Sequence, residues 1–275
     1  MPLKDILIHV DDGRNCDVRL GVASQLARRH DAHLVGLFVR TRPYVPPYLR
    51  VEFGAEVMAM QDSHLAEAER AAEARFRQSV GDRPSEWRGD DGDAVERLSL
   101  HARYADLTIV GQRAPAGEDV DEGLAVDQLV VDAAGPVLVV PFAGRFDSVG
   151  ERVLVCWNGS REATRAIAGA MPLLERASRV EVLVVNPGAG PDTHGDVPGA
   201  DIGLHLARHG VPVEVQTMRA DDVDIGNLIL SRAADANADL IVMGAYGRSR
   251  LREMVLGGAT RHILQHMTVP TLMAH

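Results

Sequence analysis

The chain has 275 residues, and its 29 Lys and Arg against 39 Asp and Glu give a formal net charge of −10 at pH 7. This negative charge argues against binding to nucleic acid or to an anionic membrane surface, because both interactions depend on Lys and Arg meeting phosphate groups. Two cysteines exclude a disulfide framework, and the absence of an apolar run of about 18 residues excludes a membrane span, so we expect a cytoplasmic globular protein.

The first half of the chain alternates apolar runs with helical patterns. Strands are predicted at 6–10, 33–39, within 105–111 and at 137–140, with extra sequence at 41–48 before a long helix around 58–79. The apolar runs are typical of strands that are buried on both faces of a parallel sheet.

The second half has the same order of elements. We predict strand 152–157, helix 160–176, strand 180–185, helix 200–209, strand 212–217, helix 222–237, strand 239–243, helix 254–266 and strand 270–274. Strands that alternate with helices imply right-handed crossovers and a parallel sheet covered by helices.

Three segments of the first half recur in order in the second half. Their offsets are 147, 133 and 134 residues (153 − 6, 238 − 105 and 270 − 136). The sharpest match pairs Ala105–Gly111 with Ala238–Gly244. A period this long indicates a duplicated domain rather than a solenoid, whose repeats run about 20–50 residues. We predict domains at 1–145 and 150–275, with a linker near 143–150.

A glycine-rich segment follows strand 239–243, where ligands of open parallel sheets bind. Glycines at 244, 247, 257 and 258 let a backbone approach a ligand closely, and the last pair opens a helix whose N-terminus favours an anion. Arg248, Arg250 and Arg252 add positive charge. Tight-turn glycines and solvated arginines are the alternative interpretation. The common phosphate loop and the GxGxxG fingerprint are both absent.

The spacing Gly244-x2-Gly247-x9-Gly257 resembles the nucleotide loop of the universal stress protein family, and the likeness extends over both halves. The resemblance implies an α/β fold: two tandem, open, parallel five-stranded sheets in the order 3-2-1-4-5, flanked by helices and related by a pseudo-twofold axis. In that family two domains pair through their last strands, so Val137–Val140 and Thr271–Ala274, exposed sheet edges otherwise, should meet in an intramolecular pseudo-dimer.

The resemblance also implies a site for ATP across strands one and four of the second half. Asn158 would lie near the adenosine, Val185 near the adenine edge, Met243 and Gly244 beside the ribose, and Gly247, Gly257, Gly258, Ala259 and Thr260 around the phosphates. Two positions depart from the family pattern. Gly258 replaces a hydroxyl residue, for which Thr260 would compensate, and Asn158 replaces an acidic residue.

The first half departs further from the pattern. Gln112 follows Gly111 directly, the second loop glycine is missing, and Leu124 stands where the third would be. Glu118, Asp119, Asp121 and Glu122 fill this loop with negative charge, which repels phosphate. Asp11 keeps the acid of strand one. We therefore predict a degenerate first domain and about one nucleotide per chain.

Other chemistry has weaker support. His262 and His266 are four residues apart, a spacing compatible with zinc, but a chance pair is the stronger interpretation, so we predict no metal site. Cys156 is expected to be a buried structural thiol. No nucleophile elbow or acid–base pair stands out, so we name no catalytic residue.

The leading hypothesis is a stress-response regulator that binds an adenine nucleotide, ATP with or without Mg²⁺, with little or no turnover. Its ligand would shift the population of conformations that a protein partner, not identified by the sequence, recognises. One alternative is a pseudo-dimeric interaction module without any cofactor. A second is a slow ATP hydrolase, although phosphoryl transfer needs metal-positioning carboxylates that the loop lacks apart from Glu253. A homodimer of the chain is a further expectation.

Overall fold

The computed structural model describes residues 2–13, 15–42, 47–113, 124–187, 197, 199–220, 224–247 and 258–275. The first half contains strands β1 (Asp5–His9), β2 (His33–Arg40), β3 (Ser85–Asp91), β4 (Leu107–Gly111) and β5 (Val137–Val140), and helices α1 (Cys16–His30), α2 (Pro47–Val80), α3 (Ala94–His101) and α4 (Val126–Asp132). The second half contains strands β6 (Arg152–Trp157), β7 (Arg179–Val185), β8 (Val213–Met218), β9 (Leu240–Gly244) and β10 (Thr271–Ala274), and helices α5 (Arg161–Leu174), α6 (Ala200–Arg208), α7 (Ile225–Asp235) and α8 (Gly258–His266).

All ten strands form a single sheet in the order β3-β2-β1-β4-β5-β10-β9-β6-β7-β8. Each half has the predicted order 3-2-1-4-5 with parallel neighbours, and β5 pairs with β10 in antiparallel orientation. The predicted fold and the pairing through the last strands are therefore confirmed. The two predicted sheets are continuous, so β5 and β10 lie at the centre, and β3 and β8 are the edges.

The central strands are buried because helices cover both faces of the sheet. Ile6, Leu7 and Ile8 of β1 are all buried, although their side chains alternate between the two faces. Two apolar clusters result, one on each face, and both contain residues from the two halves of the chain. The core is mostly aliphatic, with Phe38, Phe76 and Tyr246 among its buried aromatic residues.

The repeated Ala-Asp pair has the same structural task in both halves. The carboxylate of Asp106 accepts the backbone N–H of Asp5 at 3.0 Å, where β1 begins. The carboxylate of Asp239 accepts the N–H groups of Gly150 and Arg152, at 3.0 and 2.9 Å, where β6 begins. Asp106 therefore fixes the start of β1, which pairs with β4, and Asp239 fixes the start of β6, which pairs with β9.

Three helix starts differ from the sequence prediction for identifiable reasons. Helices α5 and α7 begin one and three residues later than predicted, because Ser160 and Asp224 serve as N-caps that accept backbone N–H groups of the first turn. Helix α2 begins at Pro47 instead of 58, so part of the extra sequence is helical, and proline suits a first helical position. Across the described residues, no helix is both long and apolar enough to cross a bilayer.

Candidate functional site

The sheet register brings several of the predicted site residues to one edge. Trp157 of β6 lies opposite Val184 of β7, and Cys156 lies opposite Met243 of β9. One residue further along, Asn158, Val185 and Gly244 therefore share the carboxyl edge of three neighbouring parallel strands. The chain direction across the sheet reverses at β6, and such switch points are where open α/β sheets bind ligands.

Asn158 is exposed and its orientation is fixed by a local turn. Its Oδ1 accepts the Ser160 N–H at 3.1 Å. In the first half, Asp11 makes the same turn by accepting the Gly13 N–H at 3.1 Å. An amide oxygen and a carboxylate oxygen thus serve this turn equally, which explains why the replacement of the acid leaves the local structure unchanged.

Val185 is half-buried at the end of β7, and the next residue carries a feature that the sequence analysis missed. Asn186 has a φ of 48°. Its side-chain amide makes two hydrogen bonds with the backbone of Ala220, at 2.7 and 3.1 Å. These bonds join the ends of β7 and β8 beside the predicted adenine position. The sequence signal that could have identified Asn186 is its position directly after a predicted strand.

Residue 244 must be a glycine because the backbone at the start of α5 packs directly against it. A Cβ atom there would lie 2.4 Å from the backbone nitrogen of Ala163 and 2.6 Å from the carbonyl carbon of Glu162, so no side chain fits. The N-terminus of α5 therefore reaches the end of β9 itself. The side chain of Met243 is buried in the core, which leaves its backbone to border the edge.

The loop after β9 is tied to the first turn of α8. Tyr246 is buried, has a φ of 53°, and donates its N–H to the Oγ1 of Thr260 at 3.4 Å. Thr260 is itself only 4% exposed. Its hydroxyl oxygen thus faces the backbone of the loop, and the compensating phosphate contact predicted for it stays untested.

The remaining loop positions are open or lie outside the described residues. Gly258 is exposed, and among the described residues no heavy atom lies within 4 Å of the position of an added Cβ. Ala259 is half-buried beside it. Gly257 and the three arginines predicted to supply positive charge fall outside the described residues.

Glu162 is the site residue that the sequence analysis did not identify. It stands in the first turn of α5 with a side chain only 5% exposed, and its Oε2 lies 3.6 Å from the position of a Cβ on Gly247. Burial acts to raise the pKa of Glu162, but hydrogen bonds from its own backbone N–H and from Ser160, together with the Arg161 charge, hold that pKa below its usual range. The carboxylate is therefore ionised at neutral pH.

The equivalent cleft of the first half is filled by the protein's own side chains. The guanidinium of Arg19, buried in α1, makes a 2.8 Å ion pair with Asp11. A Cβ on Gly111 would lie 2.2 Å from the Nη1 of Arg19, so this group fills the space beside the end of β4. His9 lies 3.7 Å from Asp11, and burial lowers the pKa of His9 to about 4. The acidic loop predicted here lies outside the described residues.

The weaker candidates have structural explanations. His262 lies 3.4 Å from the Asp224 carboxylate and stacks on His266 at 4.4 Å. In the described part of the chain, no group of three or more His, Cys, Asp or Glu residues is arranged to hold a metal ion. Burial raises the pKa of the Cys156 thiol to about 12, which makes it a poor nucleophile.

Comparison with known proteins agrees with this architecture. Residues 150–275 match the model of the universal stress protein family. A universal stress protein of Synechocystis sp. is 25% identical over 172 residues, which are 61% of this chain and 57% of that protein. A universal stress protein structure from Archaeoglobus fulgidus aligns with a TM-score of 0.74 at 17% identity, over 98% of this chain and 95% of that one. A functionally unknown protein from Pseudomonas aeruginosa aligns with a TM-score of 0.60 at 14% identity, over 99% and 92% of the two chains.

Proposed function

Because residues 150–275 match the model of the universal stress protein family, we propose that the second half of the chain binds one adenine nucleotide and that the bound ligand regulates a protein interaction. The observation that carries this proposal is the convergence of Asn158, Val185 and Gly244 on one sheet edge, with the N-termini of α5 and α8 beside them. A helix N-terminus presents free N–H groups to an anion, and two of them meet here.

The adenosine end of the ligand would lie over Asn158 and Val185. Asn158 offers hydrogen-bonding groups at an exposed position, and Val185 offers a half-buried apolar surface. The phosphate end would lie toward Gly247 and Gly258. Among the described residues, a Cβ at Gly258 would meet no atom within 4 Å, and one at Gly247 would meet only the Glu162 carboxylate, at 3.6 Å. ATP is the expected ligand, with little or no turnover.

The first half would serve pairing rather than ligand binding. Arg19 and Asp11 neutralise each other in its cleft, and a ligand would have to displace the buried Arg19 guanidinium from its ion pair to enter. One ligand per chain is therefore the proposed stoichiometry.

Acid extraction of the purified protein, followed by mass spectrometry of the released molecules, tests this proposal without choosing the ligand beforehand. We expect an adenine nucleotide at close to one equivalent per chain. If the extract is empty and added adenosine and ATP also fail to bind, the proposal is wrong, and a pseudo-dimeric interaction module without a ligand becomes the better account.

A further inference from the structure

The Glu162 carboxylate lies beside Gly247, at the phosphate end of the proposed site. Its Oε2 is buried and has no hydrogen-bond partner among the described residues, and it points toward Gly247. A buried carboxylate oxygen without a hydrogen-bond partner keeps an unused acceptor, so a cation or a hydrogen-bond donor placed beside it would be favoured.

Other charges around this carboxylate balance it only in part. The Nη2 of Arg161 lies 3.4 Å from Oε1, but the Arg161 side chain is 76% exposed and solvent screens it. The first turn of α5 adds the partial positive charge of a helix N-terminus, which stabilises the ionised form of Glu162. The described residues thus leave a negative charge at the mouth of the anion site.

We propose that Glu162 is a specificity residue that makes binding of the phosphate chain depend on a divalent cation. This inference rests on the proposed function. A free triphosphate would meet a like charge at short range in a partly desolvated site, where repulsion is stronger than in water. A divalent cation such as Mg²⁺ removes this repulsion, because it takes carboxylate and phosphate oxygens together as ligands.

The same reasoning separates the two ends of the ligand. Adenosine carries no phosphate, so its affinity depends neither on the cation nor on the charge of residue 162. ATP without a cation should bind more weakly than ATP with Mg²⁺. The difference between these two ATP affinities measures the action of Glu162, and adenosine serves as an internal reference.

The experiment measures binding of adenosine and ATP by calorimetry, in Mg²⁺ and in EDTA, to the full chain and to its Glu162→Gln variant. The matched control is Glu175→Gln, which removes one charge at the exposed C-terminal end of the same helix. For the natural chain and the control, we expect ATP in EDTA to bind at least tenfold more weakly than ATP in Mg²⁺. For Glu162→Gln we expect this gap to fall below threefold, because metal-free ATP gains affinity while adenosine is unchanged.

The outcomes separate this inference from the proposed function. If adenosine and ATP bind but the gap is the same in Glu162→Gln, or if adenosine and ATP affinities change together, the specificity role is wrong and the proposed function stands. If neither ligand binds any of the proteins, both are wrong. Circular dichroism verifies folding, and should Glu162→Gln be unfolded, Glu162→Asp replaces it. That variant keeps the charge, but its side chain is shorter by one methylene group, so the charge lies farther from the ligand. If the difference between ATP affinity in Mg²⁺ and in EDTA does not shrink in this variant, the inference is overturned.

Discussion

Leu138 of β5 and Leu272 of β10 lie opposite each other in the antiparallel pair at the centre of the ten-stranded sheet. They are separated by 134 residues (272 − 138), which is the offset of the sequence repeat in this region. Each residue therefore pairs with its own counterpart, and the pseudo-twofold axis passes between them. Both leucines are fully buried, so the junction of the two halves is part of the core.

This junction predicts that the two halves unfold together. The two tryptophans report on them separately, because Trp87 is in β3 and Trp157 is in β6. In the variants Trp87→Phe and Trp157→Phe, we expect denaturation curves with the same midpoint. Leu138→Ala and Leu272→Ala should each lower the free energy of unfolding by about 2–5 kcal/mol. Midpoints that differ between the two fluorescence probes would show independent domains.

Gln112 provides a second connection between the two halves. It follows Gly111, at the start of the loop of the first half that departs from the family pattern. Its Nε2 donates to the carbonyl of Leu264 in α8 at 2.9 Å, and its Oε1 accepts the N–H of Phe142 at 3.1 Å. Gln112→Ala should cost about 1–3 kcal/mol, because it leaves two half-buried backbone groups without these partners. Urea denaturation measures this cost, and exposed Gln128→Ala is the control. An equal stability of the two variants would contradict the bridging role.

Gly258 offers a test of the phosphate end of the site. An added side chain meets no described atom within 4 Å, so serine should be accommodated. Its hydroxyl restores the donor of the family pattern, and we expect Gly258→Ser to tighten ATP binding about tenfold, equivalent to about 1.4 kcal/mol. Adenosine affinity should be unchanged, since the hydroxyl lies at the phosphate end. If the affinities for adenosine and ATP change equally, or if a folded variant binds ATP more weakly, residue 258 does not lie at the phosphate end of the site.

His30 predicts a loss of stability in mild acid. Burial lowers the pKa of His30 to about 4, with the Arg176 and Arg29 charges acting in the same direction. In the unfolded chain the histidine pKa is near 6.5, so between these values the unfolded state binds more protons. The free energy of unfolding should therefore decrease as the pH falls from about 6.5 to about 4. His30→Gln should reduce this slope, and exposed His64→Gln should leave it unchanged; equal slopes in the two variants would contradict the assignment.

Much of the fold could be predicted because its signals are local or repeated. Apolar runs such as 6–10 are typical of strands buried on both faces, and the duplication fixed the correspondence between the halves. The sequence shows that an Ala-Asp pair recurs before β4 and β9, but only the fold shows that its aspartate anchors the start of β1 or β6. The continuity of the two sheets was less accessible, because the sequence does not contain the register of β5 against β10.

The site was predicted less completely, since its decisive contacts join distant parts of the chain. Nothing in the sequence links Arg19 to Gly111, and only the fold shows that the Arg19 side chain fills the space beside this glycine. In the sequence, Glu162 is an acidic residue in the first turn of a helix, after the Ser160 cap. Acidic residues are common there because they stabilise the positive end of the helix dipole, so the sequence gives no reason to assign Glu162 to a site. The approach of α5 to Gly244 and Gly247 is what turns this acid into a candidate site residue.

The most direct test of the central claim is a calorimetric titration of the chain and of Gly247→Val with ATP in Mg²⁺. Among the described residues, a Cβ at residue 247 makes only an ordinary 3.6 Å contact with Glu162, so the variant should fold, while its branched side chain occupies the space proposed for the phosphates. We expect one ATP per natural chain and no measurable binding by the variant. Two equivalent sites per chain, or unchanged affinity in folded Gly247→Val, would contradict a single nucleotide site in the second half.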